Sequence, residues 1–157
     1  MKRIACALMA AALMAALCGS ALADQKVRLP ESSYRLTLPD GMQYDGPGGS
    51  GESFAYVDES IGLDISFFCY DGRGKTLEAI APEIQGQCDS ASIRQIQDGI
   101  KVLVYEVRDP ADPPQKGMKC IGYVMEDGSR IQEICFWYAT QKAADLTGTI
   151  IESLHKE

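Results

Sequence analysis

Histidine is almost missing from this chain: of 157 residues, only His155 carries an imidazole. Nucleophilic triads use histidine as their base, and that base must be held rigidly. His155 is expected on the last turn of a final helix, where a cation complements the helix dipole but is not clamped. No catalytic residue is named on that basis. Zinc outside all-cysteine sites also relies on imidazole, and the cysteines include no C-x-x-C pair. Neither a metal nor a cofactor is expected.

Positive charge is also scarce. Fifteen Lys and Arg stand against 22 Asp and Glu, a net charge of -7. Such a chain repels phosphate backbones, so nucleic acid is excluded as a partner. Lysine is lacking where a phosphate loop would need it. Gly46-Pro47-Gly48-Gly49-Ser50-Gly51-Glu52-Ser53 satisfies G-x-G-x-x-G and approaches the P-loop pattern, but Glu52 holds the lysine position. Both motifs require a helix to follow. Here a strand-like run follows, so Tyr44 to Ser53 is read as a loop. Gly74-Lys75-Thr76 does precede a helix, but Cys69 sits where the first glycine belongs, leaving a turn and an N-cap. No apolar run after the first 23 residues has membrane-spanning length, so no transmembrane segment is expected there.

What is present begins at the first residue. Lys2 and Arg3 precede the apolar run Ile4 to Leu17, and Ala21-Leu22-Ala23 precedes Asp24. This is the three-part pattern of a secretory signal peptide. Cleavage after Ala23 is expected, with residues 24–157 secreted or periplasmic. Losing Lys2 and Arg3 leaves 13 basic against 22 acidic residues, a net of -9 over those 134 residues. A competing reading makes Cys18 a lipid attachment site and the protein a lipid-anchored envelope subunit. Leu17 and Ala15 stand where that motif wants a small residue and a leucine.

Cys69, Cys88, Cys120 and Cys135 follow the leader. An even number in an oxidising compartment reads as two disulfides, with three pairings open. A hairpin argument chooses among them. If Asp127-Gly128 is a two-residue turn, Glu126 faces Ser129, Val124 faces Ile131, Ile121 faces Ile134 and Cys120 faces Cys135. Facing Cα atoms lie about 4.5–5.5 Å apart, within disulfide reach. Cys69 is then left for Cys88, closing a loop of about 20 residues worth roughly 3 kcal/mol.

The strand and helix signals run as follows. Ser33 to Leu38 alternates and stops at Pro39-Asp40-Gly41. Phe54 to Val57 and Leu63 to Tyr70 form a hairpin through Asp58-Glu59-Ser60. Thr76 caps a helix carrying Leu77, Ile80, Ala81 and Ile84, with Pro82 in conflict. Ser92 to Gln97 and Ile100 to Arg108 flank Asp98-Gly99, and Met118 to Met125 and Arg130 to Tyr138 flank Asp127-Gly128. Thr140 caps a last helix with Ala143, Leu146, Ile150 and Leu154 on one stripe. With no repeat and no dividing linker, residues 24–157 read as a single α+β domain. Its largely antiparallel sheet has about six or seven strands, with two helices packed on it.

That element order, the opening Tyr34-Arg35-Leu36-Thr37-Leu38-Pro39-Asp40-Gly41 and the closing amphipathic helix resemble the Mog1/PsbP-like superfamily. The resemblance covers most of the mature chain and includes no catalytic motif. It implies a non-enzymatic protein, since such members are extrinsic photosystem subunits, a small-GTPase-binding protein and bacterial secreted proteins.

The residues offer two kinds of site. Glu52, Asp58, Glu59 and Asp64 lie close in sequence, and a glycosidase-like hydrolase needs only two carboxylates at a set separation. Asp109 and Asp112 lie in a Pro-rich stretch without the EF-hand ligand spacing. The aromatic run Phe136-Trp137-Tyr138 is the candidate binding surface, because neighbours in a strand point to opposite faces. The alternative places these rings in the core under a helix. The preferred reading is a non-catalytic binding domain whose partner is a protein, a glycan or a small apolar molecule.

Overall fold

The computed structural model describes residues 24–47 and 52–157. The leader with its cleavage point, Cys18, and positions 48–51 of the glycine-rich stretch lie outside the described residues. Ten strands and two helices follow in order. They are β1 (Gln25–Arg28), β2 (Tyr34–Leu38), β3 (Gln43–Gly46), β4 (Glu52–Asp58), β5 (Leu63–Asp71), α1 (Leu77–Gln85), β6 (Ser90–Gln95), β7 (Lys101–Val107), β8 (Lys119–Asp127), β9 (Arg130–Tyr138), α2 (Gln141–Glu152) and β10 (His155–Lys156). The fold is α+β. Strands β3 to β9 form a seven-stranded sheet in the order β3-β4-β5-β9-β8-β7-β6, and β1-β2-β10 form a smaller one. Every pairing is antiparallel.

Strand alternation divides the large sheet into two faces. The first carries Leu63, Ile65 and Phe67 of β5, Ile134 and Phe136 of β9, Tyr123 and Met125 of β8, and Val102 and Val104 of β7. The small sheet adds Val27, Leu36 and Leu38, and α2 adds Ala143, Ile150 and Ile151. Together these make the main core. The second face is covered by α1, whose Leu77 and Ile80 meet Leu103, Val124 and Ile131.

Both helices start as their sequences require. Thr76 Oγ1 accepts from Ala79 N at 3.4 Å, and Thr140 Oγ1 accepts from Ala143 N at 3.1 Å. Pro82 lies inside α1 without ending it.

Four expectations need correction. Tyr44 belongs to β3 and pairs with Tyr56, so the loop starts later than the glycine content implied. The Asp98-Gly99 connection is longer than two residues: Gln95 pairs with Lys101, and both Asp98 and Gly99 take positive φ. His155 is not on a helix. It pairs with Arg35 in β10, which a run of two residues could not announce as a strand.

The last correction concerns the β8–β9 turn. Asp127 faces Arg130, so the turn residues are Gly128 and Ser129, one step later than Asp127-Gly128. Gly128 has φ +66°, and Ser129 has no positive φ. This is the type II′ arrangement, which needs only its first central residue to be glycine. A turn on Asp127-Gly128 would ask aspartate for a positive φ as well. The shift makes Cys120 face Trp137 and Cys135 face Gly122. Cys120 and Cys135 share a face but are diagonal, not opposite. Cys69, Cys88, Cys120 and Cys135 are free thiols, so the expected disulfides are not formed in this structure.

Candidate functional site

The second face of the large sheet is only half covered. Beyond α1, one lateral row crosses six strands through consecutive pairings: Gln43, Val57, Asp64, Trp137, Cys120 and Val107. A second row runs beside it through Ala55, Ser66, Cys135, Gly122 and Tyr105. Val57, Phe68, Val107 and Trp137 point to this side, are partly exposed, and pack into neither core. They form an apolar strip that neither α1 nor α2 covers.

Tyr105 seals the middle of the strip. A Cβ on Gly122 would lie 2.1 Å from the Tyr105 ring, so the ring rests on bare backbone. From there its hydroxyl donates to Glu133 Oε1 at 2.6 Å and lies 3.2 Å from Cys135 Sγ. Burial, then the neighbouring Cys135 and Glu133, push the Tyr105 phenol far above its ordinary value. The Cys135 thiol is also pushed up, first by its hydrogen bond with Cys120 and then by burial. The Cys135 thiol is therefore not a ready nucleophile, because its thiolate is the disfavoured form.

At the β3–β4 end the strip opens into a groove of about 770 Å³ lined by Val57, Asp45, Asp58 and Glu59 among others, with no basic side chain. Asp64 lies in the row next to it. Burial raises the Asp64 carboxyl above its usual value, and Asp45 and Glu59 raise it further. Its Oδ1 is buried without a hydrogen-bond partner. Beneath α1, a separate cleft of about 420 Å³ includes Tyr70, Glu133, Arg73 and Lys75.

The predicted residues separate across these surfaces. Phe136 is 0% exposed, inside the main core, which corrects its place on a binding surface. Tyr138 packs against the same core, because both residues alternate onto the first face. Trp137 alone of the three is on the open strip. Among the carboxylates, Asp58 faces Leu63 whereas Asp64 faces Val57, so the two fall on opposite faces of the β4–β5 pair. Asp58 Oδ1 accepts from Ser60 N at 3.0 Å and from Ser60 Oγ at 2.6 Å, and Glu59 is exposed on that turn. Asp109 and Asp112 are exposed in the loop before β8. No three His, Cys, Asp or Glu side chains converge as a metal-binding group among the described residues.

Cys69 accepts from Gln132 Nε2 at 3.3 Å, and Cys88 donates to the Ser90 carbonyl at 3.1 Å, so each thiol has its own partner. Reading the sequence alone missed Val57, Tyr105 and Glu133. Their assembly depends on β5 pairing with β9 across the chain, which no local pattern announces.

No protein-family model matches the chain, and no characterised protein matches it by sequence. Solved structures do. Cyanobacterial PsbP (CyanoP) from Synechocystis aligns with a TM-score of 0.68 at 15% identity, covering 89% of this chain and 97% of that one. A protein from Bacteroides thetaiotaomicron aligns at 0.59 and 16% identity, covering 85% of this chain and 48% of that one. The Saccharomyces cerevisiae Ran-binding protein Mog1p aligns at 0.52 and 11% identity, covering 87% and 96%. The chain has a Mog1/PsbP-like fold.

Proposed function

We propose that this chain is a non-catalytic binding domain that docks a protein on the open half of its second sheet face. The Mog1/PsbP-like fold is the starting point, and one of its structural neighbours is by its own description Ran-binding. The observation that carries the reading is the apolar strip of Val57, Phe68, Trp137 and Val107, which belongs to neither core. Uncovered apolar area flanked by polar residues is the usual mark of an interaction surface. The signal-peptide pattern of Met1 to Ala23 supports a periplasmic or extracellular location for residues 24–157, and the partner is sought there.

One observation favours the hydrolase alternative. Asp64 has the raised carboxyl that a general acid needs. Its Oδ1, however, is closed off from solvent, and Asp58 points to the other face. The binding reading accounts for the aromatic strip as well, and the hydrolase reading does not.

Photo-crosslinking tests it. A benzophenone amino acid placed at Phe68, at Val107 or at Tyr44 on the first face is irradiated in the native envelope. Adducts of one defined mass from positions 68 and 107, and not from 44, are expected. Equal labelling from all three positions would overturn the docking face.

A further inference from the structure

We infer that the docked partner brings an arginine, whose guanidinium seats against Asp64 beside the indole of Trp137. This rests on the reading of the open strip as the docking face and adds the chemistry of its occupant.

Three observations converge on a cation. First, the acids at this end have none of their own. Among the described residues, the ion pairs are Arg35–Glu157, Lys75–Glu83, Lys101–Glu78, Arg130–Glu31 and Lys156–Asp127. Asp45, Glu59 and Asp64 take part in none of them. Three other clefts differ. The one beside Ser32 contains Arg28 and Arg130, the one beneath α1 contains Arg73 and Lys75, and the one beside Tyr34 contains Lys101.

Second, Asp64 sits in the middle of the apolar row, half-buried, and its sealed Oδ1 has no partner among the described residues. A protein laid across Val57 and Trp137 would desolvate that carboxylate further. Burying an unpaired charge is costly, so the covering surface must supply a donor at that point. The charge of the site therefore selects its occupant.

Third, Trp137 is the direct cross-strand neighbour of Asp64. A carboxylate next to an indole matches a guanidinium better than an ammonium. The planar fork presents donors in a fixed geometry to a carboxylate and also stacks on an aromatic ring. Tryptophan is the best aromatic partner for a cation. A metal ion is less suited, since no three ligating side chains converge there among the described residues.

Trp137 is the sole tryptophan, so its emission reports on this site alone. The probes are terminally blocked pentapeptides Gly-Val-X-Val-Gly, with X as arginine, citrulline or glutamate. Citrulline keeps the shape of arginine and removes the charge. The arginine peptide should shift Trp137 emission saturably and bind at least about tenfold tighter than the citrulline peptide. Added salt should erode that advantage, and Asp64→Asn should abolish it.

Equal binding of all three peptides, weakened by Val57→Ala, would overturn the arginine and leave the docking face standing. Binding that neither Val57→Ala nor Asp64→Asn alters would overturn both, because the peptides would then sit elsewhere. No binding of any peptide at millimolar concentration would overturn the arginine, and the crosslinks from Phe68 and Val107 would then decide the face independently.

Discussion

The two faces of the large sheet are built from alternate residues of the same strands, and they end differently. On the first, a second sheet and a helix of 12 residues bury Phe67, Tyr123, Ile134 and Phe136 to 2% exposure or less. On the second, a helix of nine residues covers Leu103, Val124 and Ile131 and stops. Stability needs one closed core, and the first face provides it. The second is free to carry side chains whose burial depends on something else. Phe136 and Trp137 are consecutive, and they separate these two roles.

The largest expected effect breaks the closed side. Phe136→Ala should cost about 3–5 kcal/mol, as truncations of buried aromatics do. Trp137→Ala should cost roughly 1 kcal/mol, because the indole is partly exposed and packs into neither core. Urea unfolding of both variants checks this. Comparable losses would mean that the second face is as much a core as the first.

The next effect sharpens the open side. Gly122→Ala drives a methyl into the Tyr105 ring, which must swing away and lose its hydroxyl partners. A cost of about 1–3 kcal/mol is expected, the range for overpacking. In a Tyr105→Ala background the same change should cost little. That coupling is read from a double-mutant cycle, and an additive result would show that the ring does not rest on Gly122.

The helix caps should follow the same contrast. Thr140 accepts from Ala143 N and also donates to the Ile61 carbonyl at 2.8 Å, tying α2 to the β4–β5 turn. Thr76 makes the longer cap bond and has no tie to another element among the described residues. Thr140→Ala should cost about 1 kcal/mol and Thr76→Ala less, measured by thermal unfolding.

The smallest effect is electrostatic. Asp64 has a raised carboxyl, chiefly from burial. The folded state therefore holds the proton more tightly than the unfolded state. Its ionised form is a penalty that is fully present above the folded pKa and relieved as pH falls through it. Asp64→Asn should raise the melting temperature slightly at neutral pH, and the gain should vanish in acid. A gain that persists in acid would exclude Asp64 ionisation as its cause.

These contrasts also show which parts of the fold could be read in the chain. Helices capped by Thr76 and Thr140 carry their signals within a few residues, and both formed where expected. Strands β5, β7, β8 and β9 alternate strongly enough to be located. Their register was harder. Moving a turn by one residue, from Asp127-Gly128 to Gly128-Ser129, turned Cys120 and Cys135 from opposite to diagonal. Strands β1 and β10 could not be read, because short edge strands draw their pairing from β2 and not from their own pattern. The site was less legible than the fold. Trp137 was singled out, but Val57, Asp64 and Cys120 join it only through pairings between segments far apart in sequence.

The claim that the second face is open and acidic around Trp137 has a direct test in collisional quenching of the single tryptophan. Acrylamide should quench it with an efficiency between those of a buried and a free indole. Caesium should quench it more than iodide does, because Asp45, Glu59 and Asp64 gather cations there. Quenching as weak as in a closed core, or iodide matching caesium, would contradict the account.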